Sequence, residues 1–244
     1  MKHLFPPLLP KEDLRAPVLV LAAHPDDEVI GCGGMLAWHR SVGHAVTVAH
    51  MTDGAAGDPG QRYEDFAAER RREGAQALGH LGVDDIRSIG HPDGELPEHQ
   101  AGVQAAVRQL IEEVSPKTLY SFFFTEAHRD HRAVAAAVAS ESDAIPSDCR
   151  CLLFGVNQNV VGGTMFDVSA QIEQKERALK TYKSQLAYND FTRKILDRDH
   201  GATLNIEDAA VRHVELFADL RPGELSRVRD LAEPLYRHLL RDQD

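Results

Sequence analysis

The chain has 244 residues and a formal charge of −11, from 38 acidic and 27 basic side chains. This length suits one large α/β domain, and we expect a single domain over residues 1–244. The acidic balance argues against nucleic-acid binding, which needs clustered lysine and arginine. No apolar run reaches the ~18 residues of a membrane span, and the N-terminus lacks the pattern of a signal peptide. We therefore expect a cytoplasmic protein that binds neither nucleic acid nor membrane.

Apolar runs alternate with helical patterns along the chain. The predicted strands are 17–23, 45–51, 85–89, 117–124, 151–157 and 211–217. The predicted helices are roughly 31–42, 62–81, 98–114, 131–141, 170–186, 191–200 and 224–241. This alternation implies right-handed crossovers and a mostly parallel β-sheet flanked by helices, which is a Rossmann-like α/β fold. The irregular segment 187–210 could form a lid or an oligomer contact.

The first predicted strand runs into the motif Ala23-His24-Pro25-Asp26-Asp27-Glu28. The carboxyl ends of strands are where open α/β sheets place their sites. Because His24 and Asp27 share one tight turn, both side chains can bind the same divalent ion. Asp26 would then be free to act as a general base toward a water that the ion activates. The alternative is that Asp26 only caps the following helix.

The fourth predicted strand is followed by the motif His128-Arg129-Asp130-His131 and then by an alanine-rich helical run. A catalytic zinc site typically has three protein ligands, and we assign His131 as the third. His128 could stabilise an oxyanion or protonate a leaving amine, and Asp130 could orient its ring. The reverse order, with His128 as the ligand and His131 as the acid, stays open.

Together the two motifs resemble the signature of the PIG-L (LmbE-like) zinc-dependent N-deacetylases. This family removes acetyl groups from N-acetylglucosaminyl compounds and related amides. Further similarities follow in the same chain order: Thr52-Asp53-Gly54, Arg70 with Glu73, Pro92-Asp93-Gly94 and Lys180 to Gln185. One departure is Arg129, where many relatives carry proline. A cation there could favour an acidic substrate.

The resemblance implies one zinc ion per chain, held by His24, Asp27 and His131. It further implies that Asp26 is the general base and that His128 is the acid or electrophilic partner. In the family's pattern Arg70 and Asp93 would contact substrate hydroxyls, which a guanidinium and a carboxylate can recognise. Their alternative roles are a surface ion-pair helix and an Asp-Gly turn. Mixed nitrogen and oxygen ligands also suit iron, cobalt or manganese.

The predicted reaction is therefore hydrolysis of an N-acetylated amino sugar by a metal-dependent deacetylase. Three alternatives remain: cleavage of another amide such as a thiol-sugar conjugate, phosphoester hydrolysis, and metal binding without catalysis. Phosphoester hydrolysis usually needs two ions and more carboxylate ligands. Since the family often assembles into multimers, a homo-oligomer is also an option.

Overall fold

The computed structural model describes residues 6–160 and 163–240, and within them seven strands form one sheet. The strands are β1 (Val18–Ala22), β2 (Val46–Thr52), β3 (Asp85–His91), β4 (Thr118–Phe122), β5 (Arg150–Phe154), β6 (Thr164–Asp167) and β7 (Val214–Leu220). The helices are α1 (Asp27–Ser41), α2 (Phe66–His80), α3 (Gln100–Val114), α4 (Arg129–Ser140), α5 (Ile172–Leu179), α6 (Lys183–Leu186), α7 (Phe191–Gly201) and α8 (Leu225–Leu240). Among the described helices, none combines the length and apolar character that crossing a membrane requires.

The sheet has the order β3-β2-β1-β4-β5-β7-β6, and its first five strands run parallel. The last two positions are antiparallel to their neighbours, β7 to β5 and β6 to β7. The predicted Rossmann-like, mostly parallel sheet is confirmed. Strand β1 is buried along its whole length because helices cover both faces of the sheet. The strand order reverses between β1 and β4, and ligands of such sheets bind in the crevice at this switch point.

The structure differs from the sequence prediction at two places in the C-terminal half. Strand β6 was not predicted, because only four residues pair antiparallel with β7 at the edge of the sheet. The predicted helix over 170–186 is interrupted, and α5 and α6 are separate helices. Both differences lie away from the switch point, so they leave the predicted arrangement of the two motifs unchanged.

Helix α1 starts at Asp27, four residues earlier than the predicted position, and it is broken at Cys32, where φ is −145°. A buried ion pair satisfies the backbone at this break. Glu215 accepts hydrogen bonds from the N–H groups of Gly34 (2.7 Å) and Met35 (2.9 Å). Lys175 lies 2.7 Å from the same carboxylate and donates to the carbonyl of Ile30 (3.2 Å). The N–H and C=O groups that the break leaves without helical partners are therefore hydrogen-bonded. The segment of α1 before the break carries Asp27 and Glu28 of the first motif.

Candidate metal centre and active site

The two motifs meet at the carboxyl ends of β1 and β4, which are neighbours in the sheet. Asp27 stands between two imidazoles: its Oδ2 lies 3.2 Å from Nδ1 of His24, and its Oδ1 lies 3.2 Å from Nε2 of His131. Asp27 and His131 are buried, whereas 12% of the His24 side chain is exposed. The three residues predicted as metal ligands are thus brought together, with one carboxylate facing a nitrogen atom of each ring.

The electrostatics of this cluster suit a cation. Burial acts to raise the pKa of Asp27, but the charge of His131 and hydrogen bonds from both imidazoles hold it well below its ordinary value. Burial acts to lower the pKa of both histidines, yet their carboxylate partners raise that of His24 well above the ordinary value and that of His131 to about 9. The surrounding carboxylates therefore favour positive charge at this point.

His128 lies beside the cluster at the start of α4 and is exposed. Its ring centroid is 4.7 Å from that of His24 and 4.9 Å from that of His131. Nitrogen atoms of these three rings lie within 4.8 Å of one another, so all three could hold one ion. Because Nδ1 of His128 accepts a hydrogen bond from the N–H of Asp130 (3.2 Å), Nε2 is the nitrogen left to donate or to bind.

The carboxylate of Asp130 contacts a different histidine from the one expected. Its oxygens accept hydrogen bonds from the N–H groups of Gly94 (2.7 Å) and Leu96 (3.1 Å), and Oδ2 lies 3.2 Å from Nε2 of His24. Only the backbone N–H of Asp130 reaches His128. The carboxylate of Asp130 thus pairs with His24 and not with His128. Such pairs are common in metal sites, where a ligand histidine donates its second N–H to a carboxylate.

Asp93 contacts the same nitrogen of His24 as Asp130 does. Its Oδ1 is 2.9 Å from Nε2 of His24, and its Oδ2 accepts a hydrogen bond from the N–H of Ala56 (2.8 Å). The His24, Asp93 and Asp130 side chains form a second group that could hold an ion, and it shares His24 with the first. With 10% of its side chain exposed, Asp93 borders the site, and its contact with substrate stays a prediction.

Asp26 has an unusual backbone conformation, with φ 145° and ψ −28°. Within the described part of the chain its carboxylate makes no capping hydrogen bond to α1, which disfavours the purely structural role. Oδ2 lies 3.1 Å from Nη2 of Arg70. Burial raises the pKa of Asp26 to about 6, against the lowering effect of Arg70 and with a further increase from Asp27.

The strain at Asp26 predicts an unusual order of stability among its variants. Glycine accepts a positive φ, whereas a side chain there costs about 1–3 kcal/mol. We expect Asp26→Gly to be more stable than Asp26→Ala by about 1 kcal/mol or more, since both lack the carboxylate and only alanine keeps a Cβ. Urea denaturation of the two variants measures this difference. Equal midpoints, or a more stable alanine variant, would show that the backbone at position 26 is unstrained.

Arg70 is only 2% exposed, although it was predicted to contact substrate. Its Nη2 donates to the carbonyl oxygen of Pro25 and lies against Asp26. Among the described residues, its Nε and Nη1 atoms are buried without a hydrogen-bond partner. Gly54, with φ +68°, allows this packing because a Cβ there would lie 2.9 Å from Nε of Arg70. The geometry favours a role in holding Asp26, and direct contact with substrate stays a prediction.

Arg129, the departure from the family's motif, does not present a free charge to the site. Its Nη2 contacts the carboxylate of Glu98, and about half of each side chain is exposed. The ion pair offsets the positive charge that was expected to favour an acidic substrate.

Two buried acids that contact the motif residues were not assigned from the sequence. Glu28 lies 3.2 Å from the hydroxyl of Tyr182, and it accepts a hydrogen bond from the N–H of Asp26 (3.3 Å). Glu126 lies 2.7 Å from Nδ1 of His131. Glu28 belongs to the first motif and Glu126 precedes the second by two residues, so proximity to the ligands was the available signal.

The fold and this cluster define a Rossmann-like α/β protein with a candidate metal centre at the sheet's switch point. The family model described as PIG-L, GlcNAc-PI de-N-acetylase, matches residues 19–141, which span both motifs, and the chain belongs to this family. The predicted family is thereby confirmed, as is the predicted class of enzyme, a deacetylase that hydrolyses an amide.

Similar proteins support the same assignment. A probable N-acetyl-alpha-D-glucosaminyl L-malate deacetylase 2 from Bacillus cereus is 28% identical over 213 residues, covering 82% of this chain and 94% of the relative. A diacetylchitobiose deacetylase from Thermococcus kodakarensis is 28% identical, covering 69% of each chain. The structure of N,N'-diacetylchitobiose deacetylase from Pyrococcus horikoshii has a TM-score of 0.72 at 24% identity, covering 88% of this chain and 87% of that one. This last similarity shows the fold alone.

Proposed function

We propose that this protein is a metal-dependent hydrolase that removes an N-acetyl group from an N-acetylglucosaminyl-type substrate. The observation that carries the proposal is the position of Asp27, whose two oxygens each lie 3.2 Å from a nitrogen of His24 or His131. Asp26 stands next to it in the chain with no capping hydrogen bond among the described residues. The names of the relatives, which are deacetylases of N-acetyl-glucosaminyl malate and of diacetylchitobiose, support the substrate class.

His24, Asp27 and His131 would hold the ion, which we propose to be zinc. Two imidazoles and one carboxylate form a usual ligand set for catalytic zinc, with another divalent transition metal as the alternative. The raised pKa values of the two histidines support this fit, because they indicate a site that favours positive charge. The bound ion would supply a Lewis acid that polarises the amide carbonyl and lowers the pKa of water.

Asp26 would take the proton of the attacking water. Its side chain is 13% exposed, so a water in the crevice can reach it, and its pKa of about 6 suits a base that works near neutral pH. Arg70 would act through Asp26 by holding its carboxylate. Because the 3.1 Å contact fixes only one oxygen, the other remains able to accept the proton.

His128 would act on the other side of the scissile bond. It is the exposed member of the three-histidine group, and its Nε2 is the atom free to donate. A hydrogen bond from this nitrogen would stabilise the negative charge that develops on the carbonyl oxygen. The leaving amine would take the proton that Asp26 received from the water, because a ring whose Nδ1 accepts a hydrogen bond has no second proton to give. Asp93, which borders the crevice, would contact a sugar hydroxyl.

The proposal is tested by a screen of N-acetylated amino sugars after the protein has been stripped of metal and reloaded. We expect the stripped protein to be inactive and one equivalent of zinc to restore release of free amine. Release from a thiol-sugar conjugate but from none of the acetylated sugars would favour the alternative amide. Failure of the zinc-loaded protein to release amine from any amide would contradict the proposal.

Elemental analysis separates this proposal from phosphoester hydrolysis. One ion per chain is expected for a deacetylase, whereas phosphoesterases usually use two. The group formed by His24, Asp93 and Asp130 makes this measurement informative, because it could hold an ion as well. Two equivalents together with phosphatase activity would replace the proposed function.

A further inference from the structure

Glu126 is a buried acid in the loop between β4 and α4, and it has no assigned role. Only 1% of the residue is exposed. Its Oε2 lies 2.7 Å from Nδ1 of His131. The same carboxylate accepts hydrogen bonds from the backbone N–H groups of Val156 (2.9 Å) and Asn157 (3.3 Å), which belong to the loop after β5. Within the described residues, each hydrogen bond of this side chain is with a backbone N–H group or with the His131 ring.

These contacts determine which nitrogen of His131 carries the proton. Oε1 of Glu126 accepts from the N–H of Val156 and Oε2 from that of Asn157, so both oxygens of this carboxylate act as hydrogen-bond acceptors. Nδ1 of His131 must therefore be the donor in the 2.7 Å contact. In the neutral form in which histidine binds a metal, the ring then has its lone pair on Nε2, the nitrogen that lies 3.2 Å from Asp27.

A second contact restricts the same ring. The Phe122 side chain stacks on the His131 imidazole at a centroid distance of 4.2 Å and an interplanar angle of 12°. The stacking sets the plane of the ring, and Glu126 sets its rotation within that plane. Because the loop after β5 holds Glu126, a third segment of the chain takes part in orienting the ligand.

We propose that Glu126 is a positioning residue that fixes the His131 tautomer and thereby sets the affinity of the metal centre. The inference rests on the proposed function, in which His131 is a ligand. Carboxylate partners of ligand histidines orient the ring and raise its basicity, and their loss typically weakens metal binding about 10–100-fold. Neither the backbone contacts of Glu126 nor its burial alone would produce this effect on affinity.

Zinc affinity of Glu126→Gln tests the inference, measured by competition with a chromophoric chelator. Glutamine keeps the shape but removes the charge, so we expect an affinity about 10–100-fold lower than that of the unmodified protein. Glu141→Gln is the matched control, because Glu141 caps the C-terminal end of α4 and pairs with Arg108 instead of a ligand. Unchanged zinc affinity in a folded Glu126→Gln protein, verified by circular dichroism, would overturn the proposal.

A measurement on the unmodified protein covers the case in which Glu126→Gln fails to fold. Nitrogen-15 NMR of the histidines in the zinc-loaded protein should show His131 protonated at Nδ1 and bound to metal through Nε2. Coordination through Nδ1 would contradict the inference. Both readouts use zinc alone, so they remain valid even if the protein releases no amine from any substrate, and the two proposals can fail separately.

Discussion

Replacement of Asp26 by asparagine is expected to leave the metal bound and to lower kcat by about 10²–10⁴-fold, the usual contribution of a general base. Asparagine has nearly the same shape as aspartate, so the strained backbone at position 26 can persist. The amide lacks the capacity to take a proton from water. Since Asp27 provides the carboxylate that faces both imidazoles, the ligand set is untouched.

The test combines kcat with metal content from elemental analysis of the same preparation. Asp85→Asn is a suitable control, because Asp85 is a partly exposed acid on β3 that pairs with Arg87. We expect the control to retain full activity and full metal content. If the Asp26→Asn protein kept more than a tenth of the activity, another group would have to be the base. Loss of the metal would instead place Asp26 among the ligands.

The positions of the two motifs could be predicted because each follows an apolar run that forms a central parallel strand. The residues of β1 are all apolar and buried, and β4 is its direct neighbour. Strands that run parallel place their carboxyl ends at one edge, so His24 and His131 had to approach each other. Local sequence was sufficient here, since each ligand lies within a few residues of a strand end.

The partners of these ligands could not be predicted, since they depend on how loops pack. Asp130 lies in the motif of His128, yet its carboxylate contacts His24, because the loop after β3 supplies two N–H groups that hold it there. Arg70 is buried against Asp26, and the absence of a side chain at Gly54 leaves room for it there. No periodicity or spacing carries this information.

The break in α1 also depends on contacts with residues that are distant in the sequence. The glycines near Cys32 indicate close packing, and a Cβ at Gly31 would overlap the ring of Phe154. What stabilises the break, however, is the carboxylate of Glu215 on β7, which pairs with Lys175 of α5. These partners are distant in sequence, so the interruption emerges only from the assembled fold. The ion pair thus links β7, the strand next to the edge of the sheet, to the segment of α1 that begins at Asp27.

Separate replacement of His128 and His131 by alanine is expected to affect metal binding differently. The comparison shows which of the two histidines is the metal ligand and which acts on the substrate. His131→Ala should lose the metal, because its Nε2 lies 3.2 Å from Asp27 and its Nδ1 is held by Glu126. His128→Ala should keep the metal, since among its described contacts the ring has only a backbone N–H as hydrogen-bond partner. Without this donor we expect kcat to fall by about 10²–10³-fold, as for other oxyanion-stabilising groups.

Metal content and kcat of both variants, measured side by side, check this assignment. His99→Ala provides the control, because His99 is a partly exposed histidine before α3 that contacts Glu95 and none of the ligands. The reverse pattern, with metal lost from His128→Ala and retained in His131→Ala, would exchange the two roles. Metal lost from both would mean that all three histidines are ligands, which their mutual distances allow. The acid partner would then have to come from outside the motif, because no histidine of the group would remain free to donate to the substrate.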